Sequence, residues 1–364
     1  MRIVLSGGGT GGHIYPALAL RKEILKQYPQ AEFLYIGTEK GLEGRIVPDL
    51  GIEFQTIRIQ GLKRSLSFDN VRTLAYMVKS IHQCKKYLKA FQPDVVIGTG
   101  GYVCAPVLYQ AAKMKIPTII HEQNSVAGVT NKFLSRYVDK ICICYSEVKQ
   151  DFKHHKNKVV FTGNPRAQEL AGDSSQVDLG SFQLDNDLPT VLIFGGSRGA
   201  QRINEVVLDM VGELQHRSYQ SIIATGDIYY EDWQARFPNM ENFSNVRILP
   251  YINNMPELMR KVDLVVCRSG ATTLTELTAV GTPSILIPSP NVTNNHQQHN
   301  AESLVNNQAA KMILEKDLSP KRLLQTIDEL MTNPGKRIQM SHQAKNLGVP
   351  DASDRIIQVI KDLL

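Results

Sequence analysis

One pattern of strands and turns occurs twice in this sequence. RIVLSGG (2–8) is an apolar run ending in paired glycines, and TVLIFGG (190–196) is another. PDVVIGTGG (93–101) has a counterpart in VDLVVCRSG (262–270), and IPTIIHEQN (116–124) in TPSILIPSP (282–290). Both trios run in the same order: a strand with its glycine turn and helix, a later strand with a second glycine turn, then a proline-led strand. Short β-branched runs that are apolar throughout must be covered on both faces, as in parallel sheets. Their alternation with amphipathic segments is the signature of βαβ units. The repeat therefore predicts an α/β protein of two doubly wound parallel-sheet domains, and 364 residues suffice for two cores. The expected division is 1–165, 166–345 and a C-terminal helical segment, 346–364, packing back toward the first domain. DRIIQVIKDLL (354–364) carries apolar residues at helical spacing. AGDSSQVDLGSFQLDNDLP (171–189) is polar and turn-rich and suits a linker or loop.

In doubly wound sheets ligands bind at the carboxyl ends of the strands. Two facing domains would then put their glycine turns on opposite walls of a cleft. The first turn, GGGTGGHIYPALAL (7–20), crowds five glycines and a threonine ahead of a histidine. Free backbone N–H groups and the helix dipole attract anions at such a strand-to-helix turn, and glycine permits close approach. The alternative is that the glycines only allow tight turns. Gly7, Gly9 and Gly12 match G-x-G-x-x-G, but the dinucleotide reading also wants an acid closing the second strand. EFLYIGTEKG (32–41) offers Gly-Thr there, with Glu39 late. GGSRGA (195–200) and RSGATT (268–273) repeat the anion-cradle pattern, so a phosphate-rich ligand is expected. Glu276, inside the helix after the third turn, is either a solvated glutamate or a carboxylate for vicinal ribose hydroxyls.

The chain holds 41 Lys+Arg against 35 Asp+Glu, a net charge of +6. Its distribution says more than its sum. Arg58, Lys63, Arg64, Arg72, Lys79, Lys85, Lys86 and Lys89 stand against Asp69 alone, interleaved with Leu62, Leu66, Phe68, Leu74, Met77, Ile81 and Leu88. This is either a solvated helix face or a surface for an anionic membrane, where each basic residue contributes about 1 kcal/mol. No nucleic-acid recognition motif accompanies it, so no nucleic acid is expected. No apolar run approaches the roughly 18–20 residues that span a bilayer. MRIVLSGGG reads as strand and turn and lacks the apolar core of a signal peptide. Cys84, Cys104, Cys142, Cys144 and Cys267 lie in apolar segments, as reduced buried thiols of a cytoplasmic protein would. Cys142 and Cys144 form C-x-C without a nearby His/Cys pair, which favours core over metal.

GGGTGGH, GTGGY, HEQNSVAG, GNPR, GGSRGA, CRSGATTLTE and HQQHNA, in this order, resemble the MurG family. These transferases add N-acetylglucosamine from UDP-GlcNAc to undecaprenyl-linked lipid I at the cytoplasmic face of the cell membrane. The resemblance covers nearly the whole chain. It implies the GT-B fold, with two Rossmann-like domains, the lipid acceptor and membrane served mainly by the first and UDP-sugar held mainly by the second. It also implies a peripheral enzyme of cell-wall synthesis that needs no cofactor and no metal. Carried over residue by residue, Thr10, Gly11 and Gly12 approach the diphosphates or donor sugar, and Tyr102 and Asn124 lie near that sugar. Ser197 contacts the donor phosphates, Ile252 reads uracil through its backbone, and Ala271, Thr272 and Thr273 wrap the nucleotide. Glu276 takes the ribose and Gln297 the sugar hydroxyls. GNPRAQ places Arg166 directly after the proline, one residue earlier than in some members.

Inverting transfer needs a general base for the acceptor hydroxyl and charge stabilisation for the departing UDP. His13 has a suitable intrinsic pKa, near 6.5. It is either that base or a loop histidine bonding backbone or phosphate, and Glu122 is the second base candidate. Helix N-termini, with Arg198 or Arg268, would face the leaving diphosphate. Three other functions stay open: a UDP-GlcNAc 2-epimerase of the same fold, an NAD-dependent oxidoreductase, and a two-lobed binding protein without catalysis.

Overall fold

The structure is a computed structural model that describes residues 1–60, 68–171, 177–196 and 199–364. Leu62, Lys63, Arg64, Leu66, Ser197 and Arg198 lie outside the described residues. The chain forms two compact units, Met1–Glu169 with Val349–Leu364, and Leu170–Gly348.

The first unit contains β1 (Arg2–Ser6), β2 (Glu32–Gly37), β3 (Glu53–Thr56), β4 (Val95–Gly98), β5 (Thr118–Glu122), β6 (Lys140–Ile143) and β7 (Val159–Phe161). They form one sheet in the order β3-β2-β1-β4-β5-β6-β7, and every described pair is parallel. Strand alternation sends Ile3 and Leu5 to one face and Val4 to the other. Ile3 and Leu5 pack with Ile14, Leu20 and Ile24 of the helix Gly11–Gln27. Ile356, Ile357 and Ile360 of the helix Ala352–Lys361 complete that side. Each such burial contributes about 1.5–3 kcal/mol, which holds the end of the chain on this unit. Gln27 and Gln168 fix the same helix by donating to the Asp354 carboxylate at 2.7 and 3.0 Å. Val4 meets Cys84 and Leu88 of the helix Phe68–Phe91 and Val107 and Leu108 of the helix Cys104–Lys113. Cys142 is a core residue.

The second unit contains β8 (Thr190–Phe194), β9 (Gln220–Ala224), β10 (Val246–Leu249), β11 (Leu264–Cys267), β12 (Ser284–Leu286) and β13 (Ala310–Met312). Their order is β10-β9-β8-β11-β12-β13, again parallel throughout. In both sheets the order of winding reverses beside the first strand, between β1 and β4 and between β8 and β11. This is where open α/β sheets leave a crevice, and it is where the glycine turns stand.

Candidate functional site

Because β1 and β4 are neighbours, the turns that follow them are in contact. Gly8 N–H donates to Gly100 O at 3.2 Å, and Thr99 N–H to Ser6 O at 2.8 Å. The Thr99 hydroxyl donates to His13 O at 2.6 Å. A Cβ on Gly101 would lie 2.5 Å from Gly8 O, and its φ of +88° is itself a glycine conformation. Thr10, extended at φ −143° and ψ 156°, caps the helix Gly11–Gln27. The N–H groups of Gly11 and Gly12 precede its first hydrogen bonds, from His13 N–H and Ile14 N–H to Thr10 O at 3.1 and 3.3 Å. They are available to an anion.

His13 is half-buried, and its Nδ1 lies 2.9 Å from Gly8 O. A carbonyl only accepts, so Nδ1 carries the proton and Nε2 keeps a lone pair. The ring edge rests on Gly100, where a Cβ would come within 2.9 Å of Nε2. His13 therefore does bond the backbone, and that bond leaves the other nitrogen able to take a proton.

Sequence reasoning missed Glu43. It begins the helix Glu43–Asp49, one turn beyond the end of β2 where an acid was sought, and is 1% exposed. Its Oε2 accepts from Gly9 N–H at 3.0 Å. Its Oε1 accepts from Thr38 N–H at 3.1 Å and from the Thr38 hydroxyl at 2.6 Å. The available signal was an acid at a helix start just past a second glycine-bearing turn.

Glu122 closes β5 and is 2% exposed. Its Oε1 accepts from Asn124 N–H and Asn124 Nδ2 at 3.1 and 3.2 Å. Its Oε2 accepts from Gly128 N–H and Asn131 Nδ2 at 2.9 and 2.8 Å. Both oxygens are engaged in shaping the segment that carries Asn124. Gln123 joins that segment to the first cluster by donating to Thr99 O at 2.7 Å. Tyr102 projects from the same cluster and is exposed. Arg166 is ion-paired with Glu169 and lies 5.9 Å from the ring centre of Tyr15.

In the second unit, Gly270 caps the helix Ala271–Val280. Ala271 is buried, Thr273 and Glu276 are half-buried, and Thr272 Oγ1 is a buried hydroxyl oxygen without a partner among the described residues. Gln297 lies in the first turn of the helix His296–Asn306 and accepts from Ser289 N–H at 2.9 Å. Its carbonyl accepts from Ser269 Oγ at 2.8 Å, which ties this turn to the one after β11. Ile252 is buried beyond β10, beside exposed Tyr251. Arg268 is half-buried. Its Nη1 donates to Ile287 O and Pro288 O at 3.1 and 3.2 Å, and its Nη2 pairs with Glu315. The guanidinium thus meets strand-end carbonyls and a carboxylate.

Residues 3–143 match the Glycosyltransferase family 28 N-terminal domain, and residues 190–356 the Glycosyltransferase family 28 C-terminal domain. The chain belongs to glycosyltransferase family 28. Over the whole of both sequences this family 28 chain is 54% identical to a Bacillus cytotoxicus relative. That relative is named UDP-N-acetylglucosamine–N-acetylmuramyl-(pentapeptide) pyrophosphoryl-undecaprenol N-acetylglucosamine transferase. The crystal structure of Acinetobacter baumannii MurG superposes with a TM-score of 0.77 over 99% of each chain, at 28% identity. Neisseria meningitidis UDP-GlcNAc 2-epimerase, solved with UDP-GlcNAc bound, superposes with a TM-score of 0.70 over 100% of both chains, at 14% identity. That second likeness is one of fold. The family 28 chain has the GT-B architecture of two parallel-sheet α/β domains, and it is a glycosyltransferase.

Proposed function

We propose that this family 28 chain transfers N-acetylglucosamine from UDP-GlcNAc to the muramoyl sugar of undecaprenyl-linked lipid I, giving lipid II with inversion at the anomeric carbon. The relative that is 54% identical over the full chain carries that activity in its name. For the chemical step, the supporting observation is the His13 Nδ1–Gly8 O bond of 2.9 Å, which leaves Nε2 as the acceptor of a proton. The acceptor hydroxyl oxygen bonds to the anomeric carbon, the bond from that carbon to the diphosphate breaks, UDP departs with the electron pair, and the hydroxyl proton passes to Nε2. Glu122, with both oxygens accepting from neighbours, positions Asn124 and takes no proton.

Thr10, Gly11 and Gly12 receive the acceptor diphosphate at the helix N-terminus, with Tyr102, Asn124 and Arg166 as further substrate contacts. In the second unit Ser197 and the start of the helix Ala271–Val280 hold the donor phosphates, Ile252 the uracil, Glu276 the ribose and Gln297 the sugar. The unpartnered Thr272 Oγ1 supports a ligand there. The first unit docks on the cytoplasmic membrane face through residues 58–91. Among the described residues no helix is long and apolar enough to cross a membrane. Exposed Lys79, Lys85, Lys86 and Lys89 support shallow docking, as does the half-exposed cluster of Tyr109, Phe133 and Tyr137 at centroid distances of 5.0–6.2 Å.

The deciding experiment is mass spectrometry of the products formed from UDP-GlcNAc with and without a polyprenyl-diphospho-muramoyl acceptor. The expected result is acceptor-dependent release of UDP with one N-acetylhexosamine added to the lipid. Conversion of the nucleotide sugar to its 2-epimer without acceptor would overturn the proposal.

A further inference from the structure

Glu43 and His13 are bonded to opposite sides of one peptide group. The bond between Gly8 and Gly9 is trans, so the Gly8 carbonyl and the Gly9 N–H point in opposite directions. On one side Gly9 N–H donates to Glu43 Oε2 at 3.0 Å. On the other, Gly8 O accepts His13 Nδ1–H at 2.9 Å. Carboxylate, amide and imidazole thus form one hydrogen-bonded chain. Glu43 cannot drift from it. Thr38 holds its other oxygen through two bonds, and a side chain on Gly8 or Gly41 would collide with the carboxylate. Both oxygens only accept, which is the arrangement of a carboxylate.

A negative charge at the N–H end of an amide polarises it and makes its oxygen a stronger acceptor, and chained hydrogen bonds reinforce one another. A stronger acceptor at Nδ1–H raises the proton affinity of Nε2, as a carboxylate bonded directly to an imidazole does. We propose that Glu43 is a positioning residue that sets the orientation and the basicity of His13 through the Gly8–Gly9 peptide. The inference rests on the reading of His13 as the base.

The other titratable groups around the loop do not supply this charge. The Tyr35 phenol, from β2, donates to Gly7 O at 2.7 Å, and burial pushes its pKa well above the ordinary tyrosine value. The Cys104 thiol, from the helix beside β4, bonds Ser6 O and Gly100, and burial pushes it up to about 12. Tyr102 points out to solvent. Among the described residues Glu122, on β5, accepts only from Asn124, Gly128 and Asn131. Tyr15, on the helix of His13, lies against Gly11 and Arg166.

The test is a direct titration of the His13 imidazole by NMR in the full-length protein, wild type against Glu43→Gln, with pH profiles of turnover in parallel. Glu43→Gln should lower the His13 pKa and move the acid limb of kcat/KM to lower pH with it. It should reduce kcat by about three- to tenfold, leave UDP affinity unchanged, and be rescued in part by Glu43→Asp. A fall in kcat with the His13 pKa unmoved would mean packing alone and would overturn the proposal. If Glu43→Gln does not fold, Thr38→Val serves instead. Removing the Thr38 hydroxyl concentrates the Glu43 charge on Gly9 and should raise the His13 pKa, and no change there would equally overturn it. Failure of the base reading looks different. His13→Ala would then turn over within a few-fold of wild type, while the shift caused by Glu43→Gln would still be seen.

Discussion

Thr99 donates its hydroxyl to the main-chain carbonyl of His13 at 2.6 Å, across 86 residues of chain. The bond fastens the turn after β4 to the first turn of the helix after β1, and Thr99 is 1% exposed. Thr99→Val keeps the shape and removes the donor. An unmet buried partner costs about 1–3 kcal/mol, so urea denaturation should show a loss of that size. kcat should fall while KM for UDP-GlcNAc holds. Unchanged stability would mean that the two turns are held together by packing alone.

His13→Ala should reduce kcat by about 10²–10⁴, the span for general acid–base residues. Calorimetry should find UDP binding nearly intact. Loss of UDP binding along with turnover would reassign His13 to the phosphate cradle.

Glu276→Ala should weaken use of UDP-GlcNAc by about 1.5–3 kcal/mol, the scale for hydrogen bonds to a charged group. Steady-state kinetics should place the loss on the donor and leave the lipid acceptor little affected. A donor KM and kcat equal to wild type would remove Glu276 from the ribose.

Changing Lys79, Lys85, Lys86 and Lys89 to Glu should abolish co-sedimentation with anionic vesicles. Wild-type binding should weaken as salt screens the attraction. UDP affinity should be untouched. Equal sedimentation of both proteins would exclude this face as the docking surface.

Stability should fall in mild acid, and His121 should account for part of it. The ring is fully buried, its Nε2–H donates to Gly163 O at 2.9 Å, and its Nδ1 accepts from Gln123 Nε2 at 2.9 Å. Burial lowers its pKa from 6.5 to about 4. Between these values the unfolded chain binds the proton and the folded chain does not. The contribution is therefore fully present above pH 6.5 and is lost as pH falls toward 4, by up to about 3 kcal/mol. His121→Asn should flatten the fall of Tm between pH 6.5 and 4, and an identical slope would exclude His121.

Much of this architecture is legible in the sequence because the central strands are apolar on both faces. β1, β4, β5, β8, β11 and β12 can all be read from short β-branched runs. The edge strands β3 (EFQT) and β13 (AKM) carry no such run, since they are covered incompletely. The histidine and the glycines of the first turn are equally visible as residue types. Their partners are not. Glu43 reaches Gly9 only because β2 and β1 are neighbours in a folded sheet. The four donors around Glu122 come from the loop after β5 and the helix Val129–Leu134 that follows it, whose path is set by tertiary packing. Arg268 looks in sequence like a cation beside a phosphate turn, but the ends of β12 and Glu315 claim it.

Val349–Leu364 belongs to the unit that begins at Met1. On a ribosome this imposes an order of events. The first sheet is synthesised early, yet Ile356, Ile357 and Ile360 emerge only after the whole of Leu170–Gly348. At about 5–20 residues per second that is a delay on the order of ten to thirty seconds. For that interval the helix Gly11–Gln27 and the sheet beneath it lack the apolar cover that Ile356, Ile357 and Ile360 provide. A chain released after residue 348 would thus carry the whole of the second unit and a first unit without its closing helix.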